Sequence, residues 1–475
     1  MTAAVTAALA RARRAAPGWA AQPIVARLRV IAGTRRRLAG DAVSLAGLVA
    51  SSRPGGARPV AEVLVAEMLP LLDAARFLER EAAALLAPRR PRGMRPRWLR
   101  GVRAEIRREP CGVVLVLAPG NYPLFLPGVQ ILQALAAGNV VCAKPAPGCG
   151  AVLDALAGTL AAAGLPDGVL TVLADDVGTG IAASGAGFDR IVLTGSAETG
   201  QRVLAQAAPA LTPCTMELSG CDAVFVLPGA DLALVAEALA YGLRLNGGAT
   251  CIAPRRVFVM AGQAAALETA LRPLLAAIPP APVPPAVLRR LAALLVEAAA
   301  TGARVLGEAA ASCPPIVIAD AGPGLRLLRE DVFAPVLALV PVADAAAAVA
   351  AAAACPYALG AVIFGPEPAA RALAPRVAAG AVVINDLIVP TADPRLPFGG
   401  RHRSGFGLTR GAEGLLEMTV VKVVAVRRGR FRPHLAPPRP DDAERFAALL
   451  TLLHGPWRAR LPALRRIAAR PARGV

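Results

Sequence analysis

Cys251 is the residue of this sequence whose surroundings best suit a chemical reaction. It ends the stretch Asn246-Gly-Gly-Ala-Thr-Cys251, whose small residues let a backbone N–H and a substrate approach the sulfur closely. The thiolate of a cysteine in such a place can attack a carbonyl carbon and form a covalent intermediate. A buried structural cysteine is the alternative, and it is the commoner role of this residue.

Two more polar residues supply groups that this chemistry needs. Glu217 lies among the apolar neighbours of Thr215–Gly220, where burial would raise the pKa of its carboxyl group and suit it to act as a general base. Asn121 follows an apolar run, and its side-chain amide can donate a hydrogen bond to a developing oxyanion. Taken singly, a salt bridge to an arginine would explain Glu217 equally well, and an ordinary turn would explain Asn121.

A second group of residues is typical of a phosphate-binding turn. Lys144 follows one apolar run, and Thr194, Gly195, Ser196 and Gly200 follow another. A turn of small residues that leads into a helix exposes backbone N–H groups to a phosphate, and a lysine at a neighbouring strand end adds positive charge. An ordinary strand-to-helix turn is the alternative.

Several other kinds of site are disfavoured. The stretch Gly178–Ala183 approximates a dinucleotide fingerprint, but Asp175 and Asp176 would repel a pyrophosphate there. The three histidines, at positions 402, 434 and 454, are far in sequence from a candidate nucleophile loop, which argues against a Ser-His-Asp triad or a histidine-bound metal. The eight cysteines form no CxxC pair, so we expect no metal site and reduced thiols in a cytoplasmic protein.

The formal net charge of +19 suggests a nucleic-acid partner as one hypothesis. Aromatic residues make up only 4% of the chain and do not alternate with the arginines of 88–108 and 427–473, so base-stacking surfaces are not expected. We interpret the charge as solvated surface.

Two long uncharged runs, 111–143 and 345–365, contain prolines and favour buried strands and helices over membrane spans. The N-terminus does not resemble a signal peptide.

The hydrophobic pattern predicts an α/β fold. Residues 22–90 show helical spacing and indicate two or three packed helices, and Arg103–Arg108 indicates an exposed strand. From residue 113, short apolar runs alternate with helical stretches, which is typical of a parallel sheet, until the pattern is lost beyond Val426. The predicted strands are Val113–Leu117, Val140–Ala143, Val169–Leu173, Arg190–Leu193 and Ala223–Val226, followed after Cys251 by a second series at Arg256–Val259, Val336–Val340, Gly360–Phe364 and Ala381–Ile384.

Together these residues resemble the aldehyde dehydrogenase superfamily, in particular its shorter class 3-like branch. The similarity runs from about Arg108 to Val424, and each motif is modest alone but specific in combination. The motifs, in the family's order, are Glu109-Pro-Cys-Gly-Val-Val, Gly138-Asn-Val-Val-Cys-Ala-Lys-Pro145, Leu193-Thr-Gly-Ser196, the pair Glu217 and Cys251, and Leu396-Pro-Phe-Gly-Gly400 with Ser404-Gly-Phe-Gly407.

The resemblance implies NAD(P)-dependent oxidation of an aldehyde to a carboxylic acid through a cysteine thiohemiacetal and a thioester. Cys251 would be the nucleophile, Asn121 with the Cys251 backbone N–H would form the oxyanion hole, and Glu217 would activate the deacylating water. The residues implied to bind the cofactor, NAD or NADP, are Lys144, Thr194, Gly195, Ser196, Gly200, Asp331 and Phe333, the last two on the nicotinamide side.

The resemblance also implies an aldehyde dehydrogenase-like domain order. A Rossmann-like cofactor domain would span residues 1–217, with an arm strand at about 100–109, and a catalytic α/β domain would span 218–395. A β oligomerisation arm at 396–428 would precede an Arg/Pro-rich tail at 429–475.

We expect a homodimer and an apolar aldehyde substrate. The tail could form a basic amphipathic surface, and membrane-surface contact ranks below packing on the protein itself.

Several positions depart from the family pattern. Pro147 stands where the family often has a glutamate that binds the adenine ribose, which removes repulsion against a 2′-phosphate, so either NAD or NADP fits. Asp331 replaces the usual glutamate near the nicotinamide ribose, and Gly120 replaces a customary tryptophan. These departures leave open a catalytically weakened aldehyde dehydrogenase-like scaffold. An acyl-reducing relative is the other alternative, although a hydrolytic base at Glu217 would waste its thioester.

Overall fold

A computed structural model describes residues 2–52, 58–94, 96, 99, 101–430 and 432–468. They form two compact units, one of Met1–Arg89 and Ile106–Val423, the other of Arg90–Glu105 and Val424–Val475. The helices are α1 Thr2–Ala20, α2 Ile24–Gly40, α3 Ala42–Ser52, α4 Val60–Val63, α5 Leu69–Leu85, α6 Phe125–Ala137, α7 Gly150–Ala162, α8 Val177–Ser184, α9 Ala197–Ala207, α10 Leu232–Arg244, α11 Ala261–Ala276, α12 Pro285–Ala300, α13 Ala345–Ala353, α14 Glu367–Leu373, α15 Gly411–Glu417, α16 Asp442–His454 and α17 Trp457–Ala468.

The strands pair into two large sheets and several short ribbons. They are β1 Val102–Pro110, β2 Val113–Leu117, β3 Val140–Lys144, β4 Leu170–Val172, β5 Arg190–Gly195, β6 Cys214–Leu218, β7 Asp222–Val226, β8 Pro254–Met260, β9 Ala281–Pro282, β10 Arg304–Leu306, β11 Ser312–Cys313, β12 Ile316–Ala319, β13 Val336–Val342, β14 Tyr357–Ala358, β15 Gly360–Phe364, β16 Ala381–Ile384, β17 Arg401–His402, β18 Gly405–Phe406 and β19 Thr419–Arg427. Within the described residues, no helix combines the length and apolar character that a membrane crossing requires.

The first large sheet has six strands in the order β18-β6-β5-β2-β3-β4, with only β18 antiparallel to its neighbour. Strands β2 and β3 are buried along their whole length, as expected for valine-rich strands covered by helices on both faces. Parallel strands end at one edge of a sheet, and ligands bind there. That edge brings together the ends of β2, β3, β5 and β6, and with them Asn121, Lys144, Ser196 and Glu217.

The second large sheet has seven strands in the order β10-β12-β13-β8-β7-β15-β16, and only β10 pairs antiparallel. Its two faces carry separate hydrophobic clusters, and one contains Phe225 and Phe258, whose ring centroids lie 5.5 Å apart. Strand β8 begins three residues after Cys251. The sheet therefore anchors the chain on the C-terminal side of the nucleophile loop.

The N-terminal helices cover the first sheet. Residues of α1, α2 and α5 share one core cluster with the strands, among them Val5, Ile31 and Leu71. Trp19 of α1 is buried, and its indole N–H donates to the Leu135 carbonyl of α6 at 3.2 Å. This packing fixes α6, whose first residues follow the Asn121 loop.

Several local expectations were wrong. Ala223–Val226 belongs to the second sheet, as part of β7, and does not continue the first series. Strand β6 was not predicted, because Glu217 interrupts its short apolar run. Helix α1 was not predicted either. Beyond Val426 the strand–helix alternation ends as expected, since no strand follows β19 in the described residues, but the helices α16 and α17 that form there were not predicted. The proposed domain limits remain predictions.

Candidate active site

The loop that carries Cys251 depends on glycine. After α10 the chain makes a short turn, Leu245–Gly248, in which Asn246, Gly247 and Gly248 have φ values of 52°, 58° and 72°. A Cβ atom at Gly248 would lie 2.5 Å from the Ala334 carbonyl oxygen, so only glycine fits both the space and the left-handed backbone. The turn places Cys251 in a half-buried position.

Asn121 is bonded directly to this loop. Its side-chain Nδ2 donates to the Ala249 carbonyl at 3.1 Å, and Asn246 donates back from its own Nδ2 to the Asn121 carbonyl at 2.9 Å. The hydroxyl groups of Tyr122 and Thr250 are 2.6 Å apart. Two loops from different sheets are thus held in one fixed arrangement around the sulfur.

A buried ionic network supports both loops, and sequence reasoning missed it. Glu67 is fully buried and accepts hydrogen bonds from the backbone N–H groups of Leu124 and Phe125, at 2.9 and 3.1 Å. Arg58 forms ion pairs with Glu67 at 2.5 Å and with Glu62 at 3.0 Å. Burying a carboxylate is costly unless it is paired and hydrogen-bonded, so an acid in the apolar run around Glu67 was the available signal.

Glu62 extends this network to the nucleophile loop. Its Oε1 accepts a hydrogen bond from the Asn246 backbone N–H at 3.1 Å. The segment 58–67 therefore contacts both the Asn121 loop and the Cys251 loop. Its hydrogen bonds hold in place the turn Leu245–Gly248, whose left-handed backbone is unfavourable for most residues other than glycine.

Glu217 is buried on β6, and no arginine of the described residues forms an ion pair with it. Its Oε2 accepts a hydrogen bond from the Thr409 hydroxyl at 3.1 Å, while Oε1 has no donor among the described residues. Burial raises the pKa of Glu217, and the nearby Arg410 guanidinium opposes that rise. The expected elevation of this carboxyl group's pKa is confirmed.

The thiol of Cys251 differs from expectation in its ionisation. A cysteine without a histidine partner ionises most readily where its pKa is lowered locally, whereas burial raises the pKa of Cys251 well above its usual value. The carboxyl groups of Glu217, Asp222 and Asp331 add to the rise because they repel a thiolate, and Arg410 acts against it. Burial in the folded chain, with the surrounding charges added to it, decides this direction, and a local motif does not contain it.

Two cavities meet at these residues. The first cavity, of about 800 Å³, is lined by Tyr122, Phe125 and Phe398 among others, and the second, of about 600 Å³, by Gly195, Ser196 and Phe333 among others. Cys251, Glu217 and Leu126 line both, and Asn121 lines the second. The predicted nucleophile, base and oxyanion donor are thus brought together.

The predicted phosphate-binding residues divide into two groups. Thr194, Gly195 and Ser196 line the second cavity, and the Ser196 hydroxyl caps α9 by accepting a hydrogen bond from Thr199 N–H. Lys144 and Gly200 are not among its lining residues. The Lys144 ammonium donates to the Asp175 carbonyl at 2.8 Å, and a Cβ at Gly200 would lie 2.8 Å from Leu218, so this glycine allows α9 to pack closely on β6.

Asp331 and Phe333 lie on the opposite side of the second cavity. Asp331 is 8% exposed, and among the described residues neither of its carboxylate oxygens has a hydrogen-bond donor; the Ser219 hydroxyl is close but outside hydrogen-bond geometry. Arg255 lies 3.8 Å away. Burial raises the pKa of Asp331 to about 7. Two buried acceptor atoms on a residue that lines the cavity fit a ligand that supplies hydroxyl groups.

The chain matches the Aldehyde dehydrogenase family over residues 1–424. It is 30% identical to the 4,4'-diapolycopene aldehyde oxidase of Methylomonas sp over 465 residues, which cover 94% of this chain and 86% of the relative. It is 32% identical to the succinate semialdehyde dehydrogenase (NAD(P)+) Sad of Escherichia coli over 348 residues, covering 69% and 75%. The structure of the Mycobacterium tuberculosis aldehyde dehydrogenase complexed with NAD+ superposes with a TM-score of 0.83 at 27% identity, covering 91% of this chain and 92% of that one.

The chain therefore belongs to the aldehyde dehydrogenase family. It is an NAD(P)-dependent enzyme that oxidises an aldehyde to a carboxylic acid. The α/β architecture expected from the sequence is confirmed. The names of the relatives lend no support to a weakened scaffold or an acyl-reducing enzyme.

Proposed function

We propose that Cys251, Glu217 and Asn121 perform this oxidation, with the substrate in the first cavity and the cofactor in the second. The observation that carries the proposal is the position of Cys251 and Glu217 in the walls of both cavities. At that junction the nucleophile and the base can act on the carbonyl carbon of a substrate in the first cavity. A hydride acceptor bound in the second cavity would lie on the other side of the same carbon.

In this proposal the Cys251 thiolate attacks the aldehyde carbon and forms a carbon–sulfur bond. The resulting oxyanion accepts hydrogen bonds from the Cys251 backbone N–H and from Asn121, whose amide nitrogen has a second proton besides the one given to Ala249. A nicotinamide held in the second cavity would supply the hydride acceptor, and loss of a hydride from the carbon bound to Cys251 converts the thiohemiacetal into a thioester. Glu217 then takes a proton from water, and the water oxygen attacks the thioester to release the carboxylate and the thiolate.

The residues of the second cavity fit a nicotinamide cofactor. We assign the two unpartnered oxygens of Asp331 to hydroxyl groups of the nicotinamide ribose, with Phe333 beside them, and Thr194, Gly195 and Ser196 to the phosphate side. We also retain Lys144 and Gly200 on the adenosine side. Pro147 is exposed and carries no charge, so the side chain at this position does not repel a 2′-phosphate, and both NAD and NADP remain in the proposal.

We infer that the substrate is an apolar aldehyde. The first cavity is lined mostly by aliphatic and aromatic side chains, including Val65, Leu69, Tyr122, Phe125, Ile278 and Phe398. Burying a hydrocarbon chain against such a wall is favourable in proportion to the apolar area removed from water.

Further expectations belong to the same proposal. We place the chain in the class 3-like branch and expect a homodimer formed through β1 and the residues after Gly411. A cytoplasmic location fits the eight cysteines, all of which are free thiols.

Replacement of the nucleophile tests the proposal. C251S should abolish reduction of NAD or NADP by a panel of aliphatic and aromatic aldehydes, measured by absorbance of the reduced cofactor, because a serine hydroxyl is a far weaker nucleophile than a thiolate. C111S is the matched control: Cys111 is also half-buried but lies outside both cavities, and its variant should retain turnover. Full turnover by C251S would exclude the proposal.

A further inference from the structure

Arg410 is a charged residue of the first cavity that the mechanism above does not use. It lies directly after Thr409, the hydrogen-bond donor to Glu217, and it lines the same cavity as Cys251. Its guanidinium is stacked between two aromatic rings, with its central carbon 4.2 Å from the ring centroid of Phe398 and 5.6 Å from that of Phe125. The rings hold a full positive charge beside the reacting groups.

The charge of Arg410 has little compensation from its surroundings. The residue is 6% exposed, its Nη1 donates to the Thr391 carbonyl, and its buried Nε has no acceptor among the described residues. None of the described carboxylates forms an ion pair with it. A buried guanidinium without an anion is costly, so an anion that forms during the reaction would offset that cost.

The backbone at Arg410 is also strained. Its φ of 61° with ψ of 173° lies in a region that favours glycine. A glycine would adopt this conformation without steric cost, whereas a residue with a Cβ atom does not. Because Arg410 adopts this strained backbone, we infer that the position requires the arginine side chain.

The charges around Cys251 come from several elements. Glu217 on β6, Asp222 on β7 and Asp331 disfavour a thiolate, as does the nearby Tyr122 when ionised. Arg255 on β8 is the other cation that faces the sulfur. It donates to the carbonyls of Gly248 and Ala334 and lies 3.8 Å from Asp331, so its charge is largely committed.

We propose that Arg410 supplies the positive charge that stabilises the ionised sulfur of Cys251 and the ionised carboxyl group of Glu217 in the catalytic cavity. It acts through these two residues and is a positioning residue for the reaction. The cation opposes the rise in pKa of both groups. This inference rests on the proposed role of Cys251, and it explains how a thiol with no histidine partner ionises among three carboxyl groups.

Alkylation of Cys251 by iodoacetamide tests the inference without requiring turnover. Peptide mass spectrometry follows the modified Cys251 peptide from about pH 6 to about pH 10, separately from the other cysteines. In R410M the midpoint of the rate profile should move to higher pH, and the rate at pH 7 should fall about tenfold. R410G is a second neutral variant, which relieves the backbone strain and should fold. R410K keeps the charge and should restore most of the wild-type profile.

A matched arginine controls for general effects of removing a charge. Arg244 lines the same cavity but is exposed and is not among the groups that act on Cys251, so R244M should leave the pH profile unchanged. Wild-type profiles in R410M and R410G would overturn the inference, even if turnover were lost. The proposed function is judged separately, by the activity of C251S.

Discussion

At the scale of single residues, burial gives two carboxyl groups of this enzyme different tasks. Glu217 and Asp331 both have a raised pKa because they are removed from water. Glu217 has a hydroxyl donor on one oxygen, whereas neither oxygen of Asp331, a residue in the wall of the second cavity, has a donor among the described residues. The first arrangement suits a group that takes up a proton, and the second suits a group that binds a ligand.

Removing the carboxyl group of Glu217 should separate the two halves of the reaction. E217Q should still reduce one equivalent of cofactor in a rapid burst, because attack and hydride transfer do not need the base. Steady-state turnover should fall about 100-fold or more, since water would no longer be activated. Stopped-flow absorbance measures both phases. Glu413 on α15 is exposed and outside both cavities, so E413Q should behave as wild type. Wild-type steady-state turnover by E217Q would contradict the assignment.

Asp331 should make the stability of the fold depend on pH. With a pKa raised to about 7 from an ordinary value of 3.8, its carboxyl group is neutral in the folded chain where it is ionised in the unfolded one. Its contribution to stability is therefore lost as pH rises through about 7. D331N has no such titration, so its Tm relative to wild type should increase between about pH 5 and about pH 8. A Tm difference independent of pH would contradict this.

The same variant tests ligand binding. D331N should weaken binding of NAD or NADP about tenfold in isothermal titration, because an amide cannot accept from two hydroxyl groups as a carboxylate does. D320N serves as a control, since Asp320 is exposed and pairs with Arg304 at the surface. Unchanged affinity in D331N would remove Asp331 from the cofactor site.

At the scale of elements, the active site is a meeting of loops held by bonds between distant parts of the chain. The Cys251 loop connects α10 to β8, and the Asn121 loop connects β2 to α6. Hydrogen bonds join the two loops to each other and to the segment 58–67. Strain in the turn Leu245–Gly248 is tolerated because these partners fix its conformation.

Substitution of Gly248 should therefore damage both stability and catalysis. In G248A the new Cβ would meet the Ala334 carbonyl in a left-handed backbone, and the free energy of unfolding should fall by about 1–3 kcal/mol. Urea denaturation and kcat/KM measure the two effects. G47A is the control, because Gly47 lies inside α3 with open space around it, and it should gain up to about 1 kcal/mol. Equal stability of the two variants would contradict the account of the turn.

At the scale of the whole molecule, both cavities lie in the first compact unit. All their lining residues fall within Met1–Arg89 and Ile106–Val423, and the helices α16 and α17 lie in the second unit. The catalytic groups and the arginine-rich tail are thus separate in the chain.

A chain ending at Arg428 should remain an active enzyme. This truncation keeps β19 whole and removes α16 and α17, so kcat and cofactor affinity should stay close to those of the full chain. Sedimentation velocity shows whether each of the two chains forms the predicted dimer, and thermal unfolding shows whether each chain is folded. A truncated chain that folds but has lost turnover would show that the tail contributes to the site.

The sequence by itself determined the elements with a strong local signal. Apolar runs such as Val113–Leu117 and Val140–Ala143 were predicted as buried strands because their burial on both faces requires an unbroken hydrophobic stretch. The glycine-rich approach to Cys251 was visible because a left-handed turn restricts residue type. Family motifs then linked Cys251, Glu217 and Asn121, and the fold brings these three together.

Only the tertiary structure decided the electrostatic balance of the site. The raised pKa of Cys251, the position of Arg410 beside no carboxylate ion-pair partner of the described residues, and the lack of a hydrogen-bond donor to Asp331 among them depend on side chains brought together from separate strands and loops. The strength of such interactions depends on distance and burial, which sequence spacing does not contain. Glu67 shows the same limit: its acceptor role depends on Leu124 and Phe125, 57 and 58 residues along the chain.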